Sequence, residues 1–336
     1  MENLYDLLFE LSNEDRHRIM FLLKEKAMNV TNLSKKLDLT KQEVSRHLSR
    51  LCKSELTQKN IDGTYNLTHY GKLTLRQLPG LNFISQHIDY FNTHSVVHLP
   101  KEYVDRIGDF EHTNVVRTVV DAFCNIDKLV EEAQKYIWTF TDQYLVSRSV
   151  TKLFTQAYKN KVGVRNIEVR DSFVPSRQFD WYDSEDREVR RIARSTKVLA
   201  ERFTDHLDLS LYMSEKEVAL VSFPLLDGGF DYIGFSTTDK SAHKWCEDLF
   251  KYYWEKAIPR EIVVEELHNW IKKTPESINV LQNIAKGKTI IHGKELLPEL
   301  EKKRLTKQGK ITLLGLLINQ KHTIGQVQGL AGGIPN

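Results

Sequence analysis

The sequence predicts an α+β protein of several domains, and three observations support this fold class. The chain has 336 residues, enough for two or three hydrophobic cores. Residues 1–78 show helix-type spacing of apolar residues followed by a hairpin pattern, whereas residues 111–260 alternate between strand and helix patterns. Residues 261–318 are again mainly helical in pattern. A connector at 79–110 and a Gly- and Gln-containing tail at 319–336, expected to be mobile, complete the division.

Short helices and one hairpin are predicted in the first domain. The stretch from Ser12 to Asp15 is typical of a helix start, because it supplies a capping side chain and acidic residues for the first turn. A second helix spans 31–37, and Thr40 caps a third that runs to about Lys53. Two β-prone runs around Asp62-Gly63 predict a hairpin. Helix, helix, turn, helix and hairpin in this order indicate a winged helix-turn-helix.

The third of these helices has two chemically different faces. Val44, Leu48 and Leu51 form an apolar face that packs on the preceding helices. The opposite face carries Arg, Gln and Ser, which hydrogen-bond to base edges and phosphates of DNA. We expect base contacts from Gln42, Ser45, Arg46 and Ser49, phosphate contacts from Lys41, Arg50 and Lys53, and contacts of the hairpin from Lys59 and Tyr65; His47, beside Arg50, is a further phosphate candidate.

Positive charge is concentrated in the same region. The whole chain has a formal net charge of +3. Residues 33–59 alone hold seven Lys or Arg against three Asp or Glu, a local charge of +4. A basic patch on a nearly neutral chain is typical of a nucleic-acid footprint. Two alternatives to DNA binding remain. The basic patch could be a solvated surface, and the winged helix could serve only for protein contacts.

Residues 12–78 resemble the archaeal winged-helix regulators grouped with the ArsR and MarR types. The resemblance rests on "LSNEDRHRIMFLLKEKAMNVTNLSKKLDLTKQEVSRHLSRL" and on the following "DGTYNLTHYGKLTL". It implies a domain that binds double-stranded DNA, with the third helix as the recognition helix and the hairpin as the wing. A homodimer is the expected assembly, with no membrane association.

The central domain is predicted to be an α/β fold, because strand and helix patterns alternate along it. Helices are expected at 113–134, 146–161, 186–203 and 240–257, and strands at 135–143, 162–171, twice within 207–224, and within 227–239.

The end of this domain resembles the sensor domain of archaeal regulators of the methanogenesis-regulator type. The stretch "ALVSFPLLDGGFDYIGFSTTDKSAHKWCEDLFKYYWEKA", residues 219–257, carries the resemblance. That domain is related to phospholipase D-like folds, which the TrmB-type sugar-responsive regulators also use. Over residues 12–258 the order of domains is similar too. The resemblance implies a small-molecule effector and a fold without catalysis.

Catalytic motifs are missing from this domain. Phospholipase D chemistry needs a His-x-Lys pair and a downstream Asp, whereas His243 is followed directly by Lys244. The sequence contains no G-x-G-x-x-G, P-loop, G-x-S-x-G or H-E-x-x-H motif. We therefore expect no enzyme and no cofactor. A phosphodiesterase-like enzyme with an accessory winged helix and a protein-interaction scaffold are the alternatives.

Candidate ligand-binding residues follow two of the predicted strands. In open α/β sheets, pockets lie beyond the carboxyl ends of strands. The candidates are Thr141, Asp142 and Tyr144 after one strand, and Arg170 and Asp171 after the next. Loop caps are the alternative for all five.

Metal and disulfide chemistry is not expected. His94 and His98 have i, i+4 spacing but no obvious carboxylate or cysteine partner, so a helix end is favoured over a metal pair. The three cysteines, Cys52, Cys124 and Cys246, are far apart, which predicts reduced thiols. The sequence begins without a signal-peptide pattern and has no apolar run long enough to span a bilayer, so we expect a cytoplasmic protein.

The C-terminal segment repeats part of the first domain. "LTHYGKLTLRQL" at 67–78 and "LTKQGKITLLGL" at 305–316 share seven of twelve residues. The first copy begins the helix after the wing, so the second predicts the end of a partial winged-helix-like or helical unit. That unit lacks a clear recognition helix, which favours packing or dimer contact over a second DNA-reading site.

Overall fold

The computed structural model describes residues 4–141, 148–169, 184–263 and 265. The chain divides into two compact units, with the boundary between His87 and Ile88. The predicted C-terminal segment, from residue 266 onward, and its repeat at 305–316 lie outside the described residues.

The first unit is the predicted helix-turn-helix with its hairpin, preceded by one more helix. Val44, Leu48 and Leu51 are fully buried in its core together with Ile19 and Leu33. In chain order its elements are α1 (Leu4–Leu11), α2 (Glu14–Glu25), α3 (Val30–Leu37), α4 (Lys41–Lys53), β1 (Thr57–Lys59), β2 (Tyr65–Leu67) and α5 (His69–Gln86).

Side-chain caps fix where these helices begin. Asn13 accepts a hydrogen bond from the backbone N–H of Arg16, and Asn29 accepts one from that of Asn32. Each cap satisfies a donor that the first helical turn leaves unpaired. Asp38 ends α3 in the left-handed conformation with φ of 56°. This residue makes the turn to α4 tight.

Helix α5 crosses the predicted domain boundary at residue 78. It runs without interruption from His69 to Gln86, with Pro79 inside it. Its start is pressed against the turn before β1, because a Cβ on Gly71 would lie 2.0 Å from the carbonyl oxygen of Leu56. Only a glycine fits there.

Within its described residues, the second unit is built on one mixed eight-stranded sheet. Its order is β10-β6-β5-β4-β7-β8-β9-β3; β4, β5 and β6 are parallel and the other neighbours are antiparallel. The strands are β3 (Asn114–Val116), β4 (Tyr136–Thr141), β5 (Gly163–Val169), β6 (Leu199–Thr204), β7 (Ser210–Ser214), β8 (Val218–Ser222), β9 (Gly234–Thr237) and β10 (Ile258–Pro259).

Helices cover both faces of this sheet. On one face, α8 (Val119–Glu132), α9 (Arg148–Lys159) and α10 (Ser184–Ser195) contribute to a core that includes Ile137, Val164 and Leu199. On the other face, α11 (Lys240–Lys256) packs Phe250 against Trp138, with ring centroids 4.8 Å apart. Ile137 and Trp138 are neighbours in β4 and face opposite layers, because successive side chains of a strand point to opposite faces of the sheet.

Two predicted helices are shorter than expected because parts of them are strands. Residues 114–116, taken for helix, pair with β9 at the sheet edge. The helix predicted over 186–203 ends at Ser195, and its second half forms β6. Lys197 between them has φ of 60°, which breaks the helix. The burial of β6 alternates residue by residue, which helical spacing would not produce.

Much of the predicted connector belongs to the core of the second unit. It forms α6 (Ile88–Phe91), α7 (Lys101–Val104) and a 3₁₀ turn at Ile107–Phe110, and both Tyr90 and Phe110 are buried. The buried His94 ring stacks on Tyr90 at 3.8 Å, and its Nε2 lies 3.2 Å from Asp231 Oδ1. Within the described residues, no group of three or more His, Cys, Asp or Glu side chains is placed to hold a metal ion.

None of the described helices has both the length and the apolar character needed to cross a bilayer.

Candidate nucleic-acid interface

Helix α4 is fixed at its start by a reciprocal cap. Thr40 Oγ1 accepts from the backbone N–H of Glu43 at 3.2 Å, and the Glu43 carboxylate accepts from the Thr40 N–H at 2.9 Å. The two hydrogen bonds form the capping box that defines the first turn. The hydrogen bonds that the Glu43 carboxylate accepts from the N–H and the hydroxyl of Thr40 hold the pKa of Glu43 below its ordinary value.

The outer face of α4 is as polar as the sequence predicts. Its apolar face is buried against α2 and α3, so the opposite face is turned to solvent. The exposed residues of this face are Lys41, Gln42, Ser45, Arg46, Ser49 and Lys53. They present hydrogen-bond donors and acceptors along about three turns of helix.

Arg50 differs from these residues because it is already in an ion pair. Its Nη2 and Nε donate to the two carboxylate oxygens of Glu10 at 2.5 and 3.2 Å. The hydrogen bond from Arg50 keeps the pKa of Glu10 below its ordinary value. Sequence analysis missed Glu10, because the two residues are 40 positions apart and no local pattern links them.

His47 is buried, so its expected phosphate contact is wrong. Its ring lies on the inner side of α4, with Nε2 3.9 Å from Asp15 Oδ2. Burial lowers its pKa, which favours the neutral ring. A neutral, buried imidazole does not reach a phosphate at the helix surface.

The hairpin has the form of a wing. Its tip is closed by the Asp62 carboxylate, which accepts from the N–H of Thr64 at 2.9 Å, and by Gly63 with φ of 80°. Lys59 is exposed on the wing. Tyr65 is half-buried. Its backbone pairs with Met28, and its side chain packs against the core of the first unit, so the residue holds the wing on that core.

Ile61 is fully exposed at the tip of the wing, and sequence analysis did not single it out. Its exposure could have been predicted from the sequence, because an apolar residue directly before Asp-Gly at a hairpin tip lies too far from the core to be buried.

The proposed ligand residues of the second unit are only partly described. Thr141 ends β4 and is buried. It pairs in register with Glu168 of the parallel strand β5, so the carboxyl ends of β4 and β5 lie at the same end of the sheet. Asp142, Tyr144, Arg170 and Asp171 lie outside the described residues.

A buried polar cluster lies on the parallel strands β4, β5 and β6, and sequence analysis did not find it. Thr139 donates to Asn166 at 2.9 Å, and Asn166 is in register with Glu201 of β6. Arg194 donates to both oxygens of Glu201, at 2.5 and 2.9 Å, and Arg190 donates at 2.9 Å.

The two carboxyl groups of this cluster are shifted in opposite directions. Burial, with a further contribution from the charge of Glu201, raises the pKa of Glu168 to about 8. Burial acts on Glu201 in the same direction, but the guanidinium groups of Arg194 and Arg190 outweigh it and hold its pKa well below the ordinary value. Burial thus favours the protonated form of Glu168, whereas the two arginines favour the ionised form of Glu201.

The residues examined for phosphodiesterase chemistry have structural partners. His243 Nε2 donates to the carbonyl oxygen of Ser214 at 2.7 Å. Lys244 Nζ lies 2.7 Å from Asp248 Oδ1 within the same helix. The His243 contact joins α11 to the end of β7, and the Lys244 contact lies within α11.

The first unit thus combines a capped recognition helix, a polar outer face and a wing. Residues 13–59 match the helix-turn-helix model described as the bacterial regulatory protein, arsR family. Residues 13–59 are therefore an ArsR-type helix-turn-helix, and the chain is a DNA-binding transcriptional regulator.

Among solved structures, the chain is similar to TrmBL2, described as an archaeal chromatin protein with a novel mode of DNA binding. The identity is 15% and the TM-score 0.35, with 73% of this chain and 94% of that chain covered. No curated protein matches the chain.

Proposed function

We propose that this regulator binds an operator as a homodimer and responds to a small ligand held by its second unit. The observation that carries the DNA-reading part is the solvent-facing polar surface of α4 on an ArsR-type domain. Gln42, Ser45, Arg46 and Ser49 contact base edges. Lys41, Lys53 and the wing residue Lys59 contact phosphates, and Tyr65 supports the wing.

The division of roles follows from side-chain chemistry. Arg46 lies near the centre of the outer face, where its planar guanidinium can make two hydrogen bonds to one guanine. Lys41 and Lys53 lie at the two ends of α4, and lysine acts as a point charge toward phosphate. Base contacts provide sequence preference, and phosphate contacts provide affinity that falls with salt.

Exposed apolar side chains on α1 and α5 support the homodimer. On α1, Tyr5 and Phe9 are 79% and 62% exposed; on α5, Leu73 and Leu81 are 57% and 61% exposed. Large exposed apolar side chains are a common feature of interaction surfaces. A second copy is the proposed occupant, since a two-fold dimer would present two copies of α4 to half-sites about 34 Å apart.

Ligand sensing is assigned to the carboxyl ends of β4 and β5. Thr141 lies there, in register with the buried Glu168, and the buried Asn166 is opposite Thr139, two residues earlier in β4. Buried polar groups at the ends of parallel strands are typical of ligand sites in open sheets. Asp142, Tyr144, Arg170 and Asp171 are the further proposed ligand residues. Binding would shift the spacing of the two recognition helices.

Fluorescence anisotropy over a salt series tests the DNA-binding part. The DNA is the upstream region of the chain's own gene, with a scrambled duplex of equal length as control. For Arg46→Ala, we expect a loss of roughly 1–3 kcal/mol on the operator and little loss on the scrambled duplex. For Lys53→Ala, the matched control, we expect equal weakening on both. Equal weakening by Arg46→Ala would contradict base reading.

The same assay with a palindrome and an isolated half-site tests the dimer. Tighter binding to the palindrome, in a sigmoidal titration near the dimerisation constant, is the expected result. Equal affinity for both DNAs would exclude the dimer model.

A thermal-shift screen with a metabolite library tests ligand sensing. A true effector raises the melting temperature of the wild type, changes its DNA affinity, and does neither for Thr141→Val. This variant keeps the side-chain shape and removes the hydroxyl. A compound that acts equally on both proteins would not occupy this site.

A further inference from the structure

The ion pair between α1 and the recognition helix is not part of the DNA-reading argument above. Glu10 lies on α1, and its side chain is only 10% exposed. Its two carboxylate oxygens accept from Nη2 and Nε of Arg50 at 2.5 and 3.2 Å. Its Oε2 also lies 3.1 Å from Nε of Arg16 on α2. One carboxylate thus engages guanidinium groups of two other helices.

The carboxylate is held firmly in this position. Arg16, which is buried, donates through Nε to the backbone oxygen of Glu10 at 2.7 Å and through Nη2 to that of Phe9 at 2.8 Å. These oxygens belong to the last turn of α1, where carbonyl groups have no partner within the helix. The Phe9 ring lies 5.2 Å from the Arg50 guanidinium. The end of α1 is therefore anchored beside Arg50.

Arg50 lies at the border of the outer face of α4. With about 3.6 residues per turn, Gln42, Arg46, Ser49 and Lys53 share the centre of that face, and Arg50 lies toward α1. Its side chain is 43% exposed, so the contact with Glu10 does not bury it fully. A two-point pair with a carboxylate offsets its charge and fixes its direction. A phosphate that approaches Arg50 also meets the negative charge of Glu10.

We propose that Glu10 is a positioning residue that keeps Arg50 out of the phosphate contacts and thereby limits the number of cations that α4 offers to DNA. The proposal rests on the DNA-binding role given above. Because Arg50 then makes no phosphate contact, the affinity for any duplex is lower. Base contacts therefore contribute a larger share of the binding free energy. Glu10 thus contributes to sequence preference without touching DNA, and it links α1, which carries part of the proposed dimer surface, to the recognition helix.

The slope of log affinity against log salt concentration tests this proposal, because each phosphate contact adds about 0.9 to its magnitude. Full-length wild type is compared with Glu10→Gln, Arg50→Gln and the double variant on operator and scrambled DNA. For Arg50→Gln, we expect the wild-type slope. For Glu10→Gln, we expect a slope steeper by about 0.9 and a smaller ratio of operator to scrambled affinity. The double variant should return to the wild-type slope.

Glu14→Gln is the matched control, since it removes one exposed acidic charge near the start of α2. It should leave the slope within about 0.2 of wild type, far less than one phosphate contact. A purely structural role of Glu10 would change stability, which circular dichroism reports, but would leave the slope unchanged.

Two results would overturn the inference. One is a slope reduced by about 0.9 in Arg50→Gln, since Arg50 would then contact a phosphate while Glu10 is present. The other is an unchanged slope in folded Glu10→Gln. Because Arg50→Gln alters a partly exposed side chain, the first of these results can overturn the inference even where Glu10→Gln does not fold. Absence of salt-dependent binding by the wild type would instead refute the DNA-binding role itself.

Discussion

Single side chains of the recognition helix have roles that their residue types alone do not fix. Arg46 and Arg50 are both arginines on α4, yet Arg46 faces solvent and Arg50 is paired with Glu10. His47 lies between them and is buried. The contacts made by neighbouring helices thus produce an exposed arginine, a paired arginine and a buried histidine within five positions.

Loss of the cap should loosen the first turn of α4. Thr40→Ala removes the hydroxyl that accepts from the Glu43 N–H, at a cost of roughly 1 kcal/mol. Hydrogen exchange of the α4 amides should become about fivefold faster, because that factor corresponds to 1 kcal/mol. Ser49→Ala, on the exposed side of the same helix, is the control and should leave exchange unchanged. Equal exchange in Thr40→Ala and wild type would refute the cap's contribution.

Glu168 should make the second unit less stable as the pH rises. Its folded pKa of about 8 lies above the ordinary 4.5, so the folded state keeps this proton while the unfolded state has lost it. Stability therefore falls between about pH 4.5 and 8. Glu168→Gln cannot ionise at this position. We therefore expect the melting temperature of the variant, relative to that of wild type, to increase from pH 5 to pH 8. A constant difference over that range would contradict the shift.

Glu201 should have the opposite pH dependence. Its lowered folded pKa means that it contributes stability above the ordinary pKa of 4.5, and that this contribution is lost as the pH falls below it. Glu201→Gln removes a buried carboxylate that both Arg190 and Arg194 bind, and breaking a buried ion pair costs roughly 3–5 kcal/mol at neutral pH. Urea denaturation should show this deficit at pH 7 and a smaller one at pH 4. An equal deficit at both would be inconsistent with an ionised Glu201.

At the scale of elements, the start of α5 depends on a close approach of two backbones. Gly71→Ala would place a Cβ 2.0 Å from the Leu56 carbonyl oxygen, so either α5 or the turn before the wing must move. Such overpacking costs about 1–3 kcal/mol or more. Urea denaturation should show this loss, accompanied by weaker DNA binding because the wing shifts.

Gly163→Ala is the control for this change. Its Cβ would lie 3.6 Å from the Lys135 carbonyl oxygen, an ordinary contact. We expect near wild-type stability and DNA affinity. A loss equal to that of Gly71→Ala would show that the effect comes from glycine replacement in general.

At the scale of the whole molecule, assembly should depend on the exposed apolar residues of α1 and α5. Leu73→Glu puts a charge into the proposed dimer surface, where a buried unpaired charge is costly. Sedimentation velocity should show a monomer, and the preference for a palindrome over a half-site should disappear. Leu226→Glu, at an exposed leucine of the second unit, should remain dimeric. A dimeric Leu73→Glu would place the interface elsewhere.

The sequence by itself determined the features that depend on neighbours along the chain. Capping residues, apolar spacing and the Asp-Gly turn act over a few positions, so the helix-turn-helix, the wing and most strands of the second unit follow from local pattern. The parallel arrangement of β4 and β5 is consistent with the predicted alternation of strand and helix.

Only the tertiary structure decided the features that depend on distant partners. Residues 114–116 and the second half of 186–203 became strands because β9 and β5 supply their hydrogen bonds. Glu10 holds Arg50 across 40 positions, and Glu201 gathers arginines on one face of the sheet. Burial and charge pairing depend on which surfaces meet in space, and a residue's own sequence neighbourhood does not encode them.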